Sequence, residues 1–186
     1  MTKRYEATNQ AKAEALGAVF YEIQQLWASS HLVGQPAVVM NAFLESMLVH
    51  VRVLLHFFER ERRSTRGAGA DRRENDDVLS VDYGFPARPI DLNSQYRSRL
   101  NKDLAHLSYS RNERRVPDEK EWPRQEVVRP LIERCIEFID FLGEERLRES
   151  QGASLSEWQQ LRDNLTKMKT GFAGIITERP GTSLTD

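Results

Sequence analysis

The residues best suited to chemistry lie in one short stretch, RSRLNKDLAHLSYSR, at positions 97–111. Arg99 and His106 are seven positions apart, so on a helix they project within about 20° of each other and lie roughly 10 Å apart. Arginine holds a phosphate through paired hydrogen bonds, and histidine transfers protons near neutral pH. With Asp103 between them, the pair predicts a phosphodiester site. The same spacing also suits a surface row of ion pairs.

The stretch from Arg97 to Arg115 is cationic in a chain that is nearly neutral. It carries a local charge of +4, whereas the formal net charge of the whole chain is -1. A local patch of this kind attracts a polyanion that the whole molecule would not attract. Tyr109 could stack on a base, and we include Asn101 and Arg111 among the residues that would support RNA binding.

The scaffold that must position these residues is predicted to be helical throughout. Apolar residues recur at i, i+3, i+4 and i+7, and no segment shows the alternation of a strand. We predict helices at residues 2–29, 36–62, 92–112, 123–150 and 154–169. The expected fold class is all-α, an antiparallel bundle of four long helices plus a shorter C-terminal helix. Residues 1–170 would form a single domain, and residues 171–186 a loosely ordered C-terminal tail.

The second predicted helix combines a wide apolar side with a narrow polar stripe. The stripe consists of Asn41, Glu45, Arg52, His56 and Glu59. His50 lies away from the stripe, near apolar residues. Two interpretations of His50 stay open, a core histidine with a hydrogen-bonded partner and a residue that faces the active helix. A ligand pocket near His50 is a third interpretation of the chain, for which the sequence specifies no ligand.

Several classes of site have no signature in this sequence. There is no GxGxxG, Walker loop, HExxH, GxSxG or Cys–His zinc spacing, and the four histidines are not spaced as a metal set. We therefore expect no metal and no cofactor. Cys135 lies among apolar residues and is expected to be a buried thiol. No signal sequence is evident, and no run approaches the roughly 18 apolar residues of a membrane span. We therefore expect a cytoplasmic protein with no membrane partner.

A helical bundle with an R-x(4–6)-H element in a late helix resembles the HEPN superfamily, here a bacterial branch of it. The matching residues are Arg99 and His106. The family usually has Asn, Asp or His directly after the arginine, whereas this chain has Leu100 there and Asn101 one place later. Members are small all-α domains, many of them metal-independent endoribonucleases or inactive relatives in toxin–antitoxin, abortive-infection and other defence systems.

The resemblance implies RNA cleavage by attack of the ribose 2′-OH on the adjacent phosphate. His106 would be the general acid or base, Arg99 would hold the phosphate, and Asn41, Glu45 and Arg52 would orient the pair. The implied partners are RNA, an antitoxin-type protein and a second copy of the chain, so that two Arg–His sets line one cleft. The alternative function is a non-enzymatic helical bundle that acts through protein–protein contacts.

Overall fold

The computed structural model describes residues 4–31, 36–66, 73–102 and 122–176. These residues are mostly helical, which confirms the all-α class. The α-helices of this part of the chain are α1 (Asn9–His31), α2 (Ala37–Glu59), α3 (Ser94–Lys102), α4 (Arg124–Arg148) and α5 (Leu155–Ile176). A 3-10 helix at Ser80–Tyr83 precedes an extended connection to α3.

The C-terminal helix is longer than the sequence pattern predicts. We expected an end near residue 169, but α5 continues through Gly171 to Ile176 and is 22 residues long. Phe172 packs against the hydrophobic core, which favours continuation of the helix past the glycine. Part of the predicted tail is therefore helical, and the remainder lies outside the described residues.

The segment after α2 contains a sheet of two two-residue strands, although no segment of the sequence shows the alternation of a strand. β1 (Thr65–Arg66) pairs antiparallel with β2 (Arg73–Glu74). The side chains of β1 are exposed, so backbone hydrogen bonds hold the ladder without burial of an apolar face. Because hydrophobic alternation is the sequence signal for a strand, a ladder of this kind leaves none.

The helices pack as two antiparallel pairs around a shared core. Glu22 of α1 contacts His50 of α2, while Ala15 lies with Val53 along the same groove. Ion pairs join α4 to α5 in the same opposed order, Asp140 to Arg162 and Glu133 to Lys169. An aromatic cluster connects the two pairs. The ring centres of Phe57 and Phe58 of α2 lie 5.2 and 5.8 Å from the ring centre of Phe138 of α4.

The connection between the 3-10 helix and α3 is held against α2 and α4. The backbone N–H of Arg88 donates to the carbonyl of Phe58 at 3.2 Å. Buried Arg134 of α4 donates to the carbonyl of Pro86, and its guanidinium lies 3.9 Å from the centre of the Phe85 ring. These contacts fix the segment that delivers the chain to α3.

The turn between α4 and α5 meets α1 at very short range. A Cβ atom added to Gly17 of α1 would lie 2.0 Å from the carbonyl oxygen of Gln151. The Gln151 N–H donates to the Ala13 carbonyl at 3.0 Å. Gly152 has a φ of 91°, a conformation that glycine adopts without strain. Glycine is therefore required on both sides of this contact.

Gly143, rather than Pro130, interrupts α4. A proline inside a helix usually kinks it, but the non-helical backbone inside α4 is at Gly143, with φ 66° and ψ 170°. This left-handed φ favours glycine, so the interruption lies where the sequence supplies one. Leu142 and Leu147, on either side of the interruption, are both buried.

One helix is long and apolar enough to span a membrane, whereas the sequence analysis expected no such segment. By length and composition, Val38–Glu59 is apolar enough to span a membrane, with a mean hydropathy of 1.6. Core helices of soluble proteins meet the same criterion. Met47, Val51 and Phe58 of α2 are completely buried in the core of this fold.

Candidate nucleic-acid interface around Arg99

The start of α3 is fixed by its own N-cap. The Asn93 side-chain oxygen accepts a hydrogen bond from the Gln95 N–H at 2.8 Å, and the Asn93 carbonyl accepts one from the Arg97 N–H at 3.1 Å. Asparagine is among the preferred N-cap residues because it satisfies an otherwise unpaired N–H of the first turn. Leu92 and Leu100 are buried and hold the helix against the core.

An ion pair between Arg97 and Glu59 ties α3 to the end of α2. Two guanidinium nitrogens donate to the two carboxylate oxygens at 2.8 and 2.6 Å, and the Ile90 N–H donates to the same carboxylate at 2.7 Å. Arg97 also donates to the Ile90 carbonyl. Arg97, which the sequence counts in the cationic patch, is therefore committed to a structural contact.

The electrostatics of this pair favour both charged forms. Desolvation alone would raise the pKa of Glu59, but the hydrogen bonds from Arg97 and Ile90 and the charge of Arg97 outweigh it, so the pKa is lowered. The hydrogen bond to Glu59 raises the pKa of Arg97, against the effect of desolvation. The pair therefore stays ionised over the physiological range of pH.

Arg99, the predicted phosphate ligand, stacks on Trp122. Its guanidinium carbon lies 4.1 Å from the centre of the indole ring. Tyr96, one turn earlier on α3, has its ring 6.4 Å from that of Trp122 and donates its hydroxyl to Glu126 at 3.0 Å. We call Tyr96, Arg99, Trp122 and Glu126 the Arg99 cluster. It combines a cation and a carboxylate with two aromatic rings. Tyr96, Arg99 and Trp122 are half-buried, and Glu126 is exposed.

Desolvation and the Glu126 carboxylate both act on Tyr96. Burial raises the pKa of the Tyr96 hydroxyl, and the hydrogen bond and negative charge of Glu126 raise it further. The tyrosine therefore remains a neutral hydrogen-bond donor at physiological pH. Its hydrogen bond fixes the ring at the edge of the cluster.

The other predicted site residues are only partly within the described chain. His106, Asp103, Tyr109 and Arg111 lie outside the described residues. Asn101 lies on α3 and is exposed. Thus, of the residues proposed on this helix, the structure describes Arg99 and Asn101.

The proposed residues of α2 are all exposed. Asn41, Glu45 and Arg52 lie on the solvent side of the helix. The Glu59–Arg97 pair joins α2 to α3 at the C-terminal end of α2, about 10 Å along the axis from Arg52. The stripe is therefore a real surface feature, and Glu59 differs from its other members because it is used to anchor α3.

His50 is a core histidine. It is buried, and its Nδ1 lies 2.7 Å from the Glu22 carboxylate of α1, the kind of partner that the first of the two interpretations expected. Among the polar residues of the stripe, His56 lies 3.5 Å from Asp77. The sequence could not identify either carboxylate because both are distant along the chain.

Sequence reasoning missed Trp122 as a site residue. It lies 23 positions after Arg99, so helical spacing could not link the two. The signal available was a tryptophan between charged residues directly before Pro123, since a large aromatic residue in a charged segment needs a packing partner.

The described residues hold no group of three or more His, Cys, Asp or Glu side chains arranged for a metal ion. Cys135 is completely buried, as predicted, and burial raises the pKa of its thiol. A thiol in this state is a poor nucleophile, so Cys135 packs rather than reacts.

Comparisons with models of protein families, with curated proteins and with solved structures find no match to this chain. The HEPN resemblance therefore stays a prediction, based on Arg99 and His106. The geometry around Arg99 is independent of that resemblance and provides the physical basis for a functional proposal.

Proposed function

We propose that this chain is a HEPN-like helical domain that binds RNA at the Arg99 cluster. In this proposal it is a metal-independent endoribonuclease, or an RNA-binding relative of one. The two antiparallel helix pairs are compatible with a complete antiparallel bundle, which we propose as the scaffold.

The stacking of Arg99 on Trp122 is the observation that supports this function best. A guanidinium that stacks on an aromatic face keeps its N–H groups in the plane of the group, where they can bind a phosphate in pairs. Unpaired RNA bases stack on tryptophan and tyrosine, and both are present here within one cluster. The cluster thus offers the two kinds of contact that single-stranded RNA requires.

The proposed chemistry places His106 on the same predicted helix face as Arg99, two turns further along. The ribose 2′-OH attacks the adjacent phosphorus and loses its proton to a general base, while the leaving 5′-oxygen gains a proton from a general acid. His106 fills one of these roles, and Arg99 stabilises the charge that develops on the phosphate oxygens. Asn101, Asp103, Tyr109 and Arg111 are the proposed supporting residues on the same stretch.

The proposed biological setting follows from the resemblance. It is a cytoplasmic homodimer in a prokaryotic defence or stress system, regulated by an antitoxin-type protein. Asn41, Glu45 and Arg52 would orient the Arg–His set within such a dimer.

A second candidate function is a non-enzymatic helical protein that acts through protein contacts. The observation that favours it is the exposed apolar surface of α2, where Val49 and Val53 are 46% and 41% exposed. In that case the Arg99 cluster would have only a packing role.

The two candidates are separated by incubating the protein with a mixed RNA pool in EDTA. We would compare the wild type with Arg99→Ala, His106→Ala and, as a control, Arg148→Ala, whose exposed partner Glu144 is on the same helix. Cleavage or binding that is lost in the first two variants and retained in the control supports the RNA function. Cleavage and binding that are absent in the wild type, or unchanged in all variants, would leave the protein-contact function.

A further inference from the structure

One side of α2 exposes apolar residues where a soluble helix normally shows polar ones. Val49 and Val53 lie one turn apart on this side, and Ala42 is exposed further along the same side. Val78 of the connection lines the same groove as the two valines, and Tyr21 of α1, 53% exposed, has its ring centre 6.0 Å from that of His50, the residue after Val49. We call this surface the α2 face. Contiguous exposed apolar surface of this kind marks an interaction site.

The α2 face also forms one wall of a groove between α1 and α2. The groove has a volume of about 570 Å³. Half of its twelve lining residues are alanine or valine, and its polar lining residues are Glu22, Arg52, His56 and Asp77. A shallow apolar groove beside an exposed helix is suited to receive another helix, whose side chains fill it.

Two charges beside the valines have no partner within the described chain. Glu45 and Arg52 are exposed and form no ion pair with any residue of the described ranges. The neighbouring acids do have partners, since Glu22 contacts His50 and Asp77 contacts His56. Glu45 and Arg52 are therefore the two opposite charges that an incoming partner of this face would meet.

The positions of these two charges suit a second copy of the same chain. Glu45 precedes Val49 by four residues and Arg52 follows it by three, so both project on the same side of Val49, about 40° and 60° around the helix. A two-fold axis through Val49 sets two α2 helices antiparallel and keeps that side together in both copies. Glu45 then comes within about 1.5 Å along the axis of Arg52 of the partner subunit.

We propose that the α2 face is a self-association surface. Two α2 helices pack antiparallel about Val49, and two equivalent ion pairs, each between Glu45 and Arg52 of the partner subunit, form beside the valines. The face is self-complementary because each copy supplies one acid and one base at matching heights. The proposal rests on the homodimer of the proposed function and deepens it by naming the surface through which two copies meet, with Glu45 and Arg52 at the interface in place of the orienting role that the resemblance implies. RNA binding or cleavage by a monomeric wild type would overturn this surface and leave the RNA function standing.

The size of the face sets the expected strength. α2 has 23 residues and is therefore about 34 Å long, so contact through one helix and its flanks is smaller than a standard interface of roughly 800 Å² per partner. We therefore expect a dissociation constant in the micromolar range, measurable by sedimentation velocity.

The test reverses one charge at a time and then mixes the variants. Glu45→Arg alone would face Arg52 of the partner subunit, and Arg52→Glu alone would face Glu45 of the partner subunit, so each should self-associate at least about tenfold more weakly than the wild type. An equimolar mixture of the two variants pairs opposite charges at both sites and should form a heterodimer. The double variant should regain self-association.

A matched control reverses a pair of charges away from the face. Glu144 and Arg148 of α4 are both 64% exposed and four residues apart, and Glu144→Arg with Arg148→Glu should leave association unchanged.

Val49→Asp, at an exposed position, tests the apolar part of the interface and should give a monomer. Circular dichroism would verify that every variant is folded.

Three results would overturn the proposal. The first is a wild type that stays monomeric across the micromolar range. The second is association that neither charge reversal weakens, which would place the contact on another surface. The third is a mixture of the two variants that remains as monomeric as each variant alone. A monomeric wild type that binds phosphatidylcholine vesicles would identify the face as a lipid-contacting surface instead.

Discussion

Arg99 of α3 lies with its guanidinium 4.1 Å from the indole centre of Trp122, which directly precedes the first turn of α4. The contact therefore connects the last described turn of α3 with the segment that leads into α4. Stacking fixes the plane of the guanidinium, so the direction of its N–H groups is set before a ligand arrives.

Replacement of Trp122 by alanine should weaken the binding of single-stranded RNA. One base–aromatic stack contributes about 1–3 kcal/mol, so we expect a loss of roughly 5- to 150-fold in affinity. Fluorescence anisotropy with a labelled single-stranded RNA measures the change. Trp122→Phe retains an aromatic face and should bind with intermediate affinity. Equal affinity of Trp122→Ala and the wild type would show that the ring does not contact RNA.

Two replacements of Arg99 should distinguish the contribution of its charge to RNA binding from that of its planar, paired hydrogen bonds. Arg99→Ala removes one phosphate contact and should lower the slope of log affinity against log salt by about 0.7 for a single strand. Arg99→Lys should keep this slope while it loses affinity, because an ammonium group cannot make paired, planar hydrogen bonds. Titrations at several salt concentrations test both variants. A slope that Arg99→Ala leaves unchanged would exclude a phosphate contact at this residue.

The pair between Glu59 and Arg97 should contribute stability that depends on pH. Because the pKa of Glu59 is lowered in the folded state, its contribution is present above the unfolded value of about 4.3 and is lost as the pH falls through the folded pKa. At pH 7, Glu59→Gln should therefore lower the free energy of unfolding by about 2 kcal/mol.

Urea unfolding at pH 7 and near pH 3 would measure the contribution of Glu59. The difference between the wild type and Glu59→Gln should shrink at the lower pH. Glu144→Gln, which removes a largely exposed pair, should change stability by less than about 0.5 kcal/mol at both values. A difference for Glu59→Gln that is the same at both pH values would contradict the assigned electrostatics.

Two glycine-to-alanine substitutions should change the stability of the fold in opposite directions. At Gly17 the new Cβ would lie 2.0 Å from the Gln151 carbonyl oxygen, a backbone atom, so the helix or the turn must move. We expect a loss of about 3 kcal/mol or more. At Gly171 of α5 no atom lies within 4 Å of the new Cβ, and alanine should stabilise the helix by about 0.5–1 kcal/mol. Thermal unfolding of both variants tests the pair.

The sequence predicted the features that depend on local periodicity. The apolar spacing of α1, α2 and α4 placed these helices because each buries a row of apolar residues on one side, and the isolated Cys135 was recognised as core. The predicted start of the last helix at residue 154 is also close, because Ser154 and Glu157 form a local cap in which Glu157 accepts hydrogen bonds from the Ser154 N–H and hydroxyl, both at 2.7 Å.

Features that depend on contacts between distant residues were not predictable. α5 continues past residue 169, where Phe172 packs against the core, and the role of Arg97 is set by Glu59, which is 38 positions away. Trp122 became part of the candidate site only through the fold. A cation in a charged stretch has the same appearance in the sequence whether it binds a phosphate or anchors a helix.

The close contact of Gly17 with Gln151 has a consequence for the order of folding. It joins α1 to a turn 134 residues later in the chain, so α1 cannot complete its packing until α4 and this turn have been synthesised. During that interval α1 and α2 expose apolar surface that α4 and α5 later cover. Nascent chains of this protein should therefore depend on chaperones until α5 emerges from the ribosome.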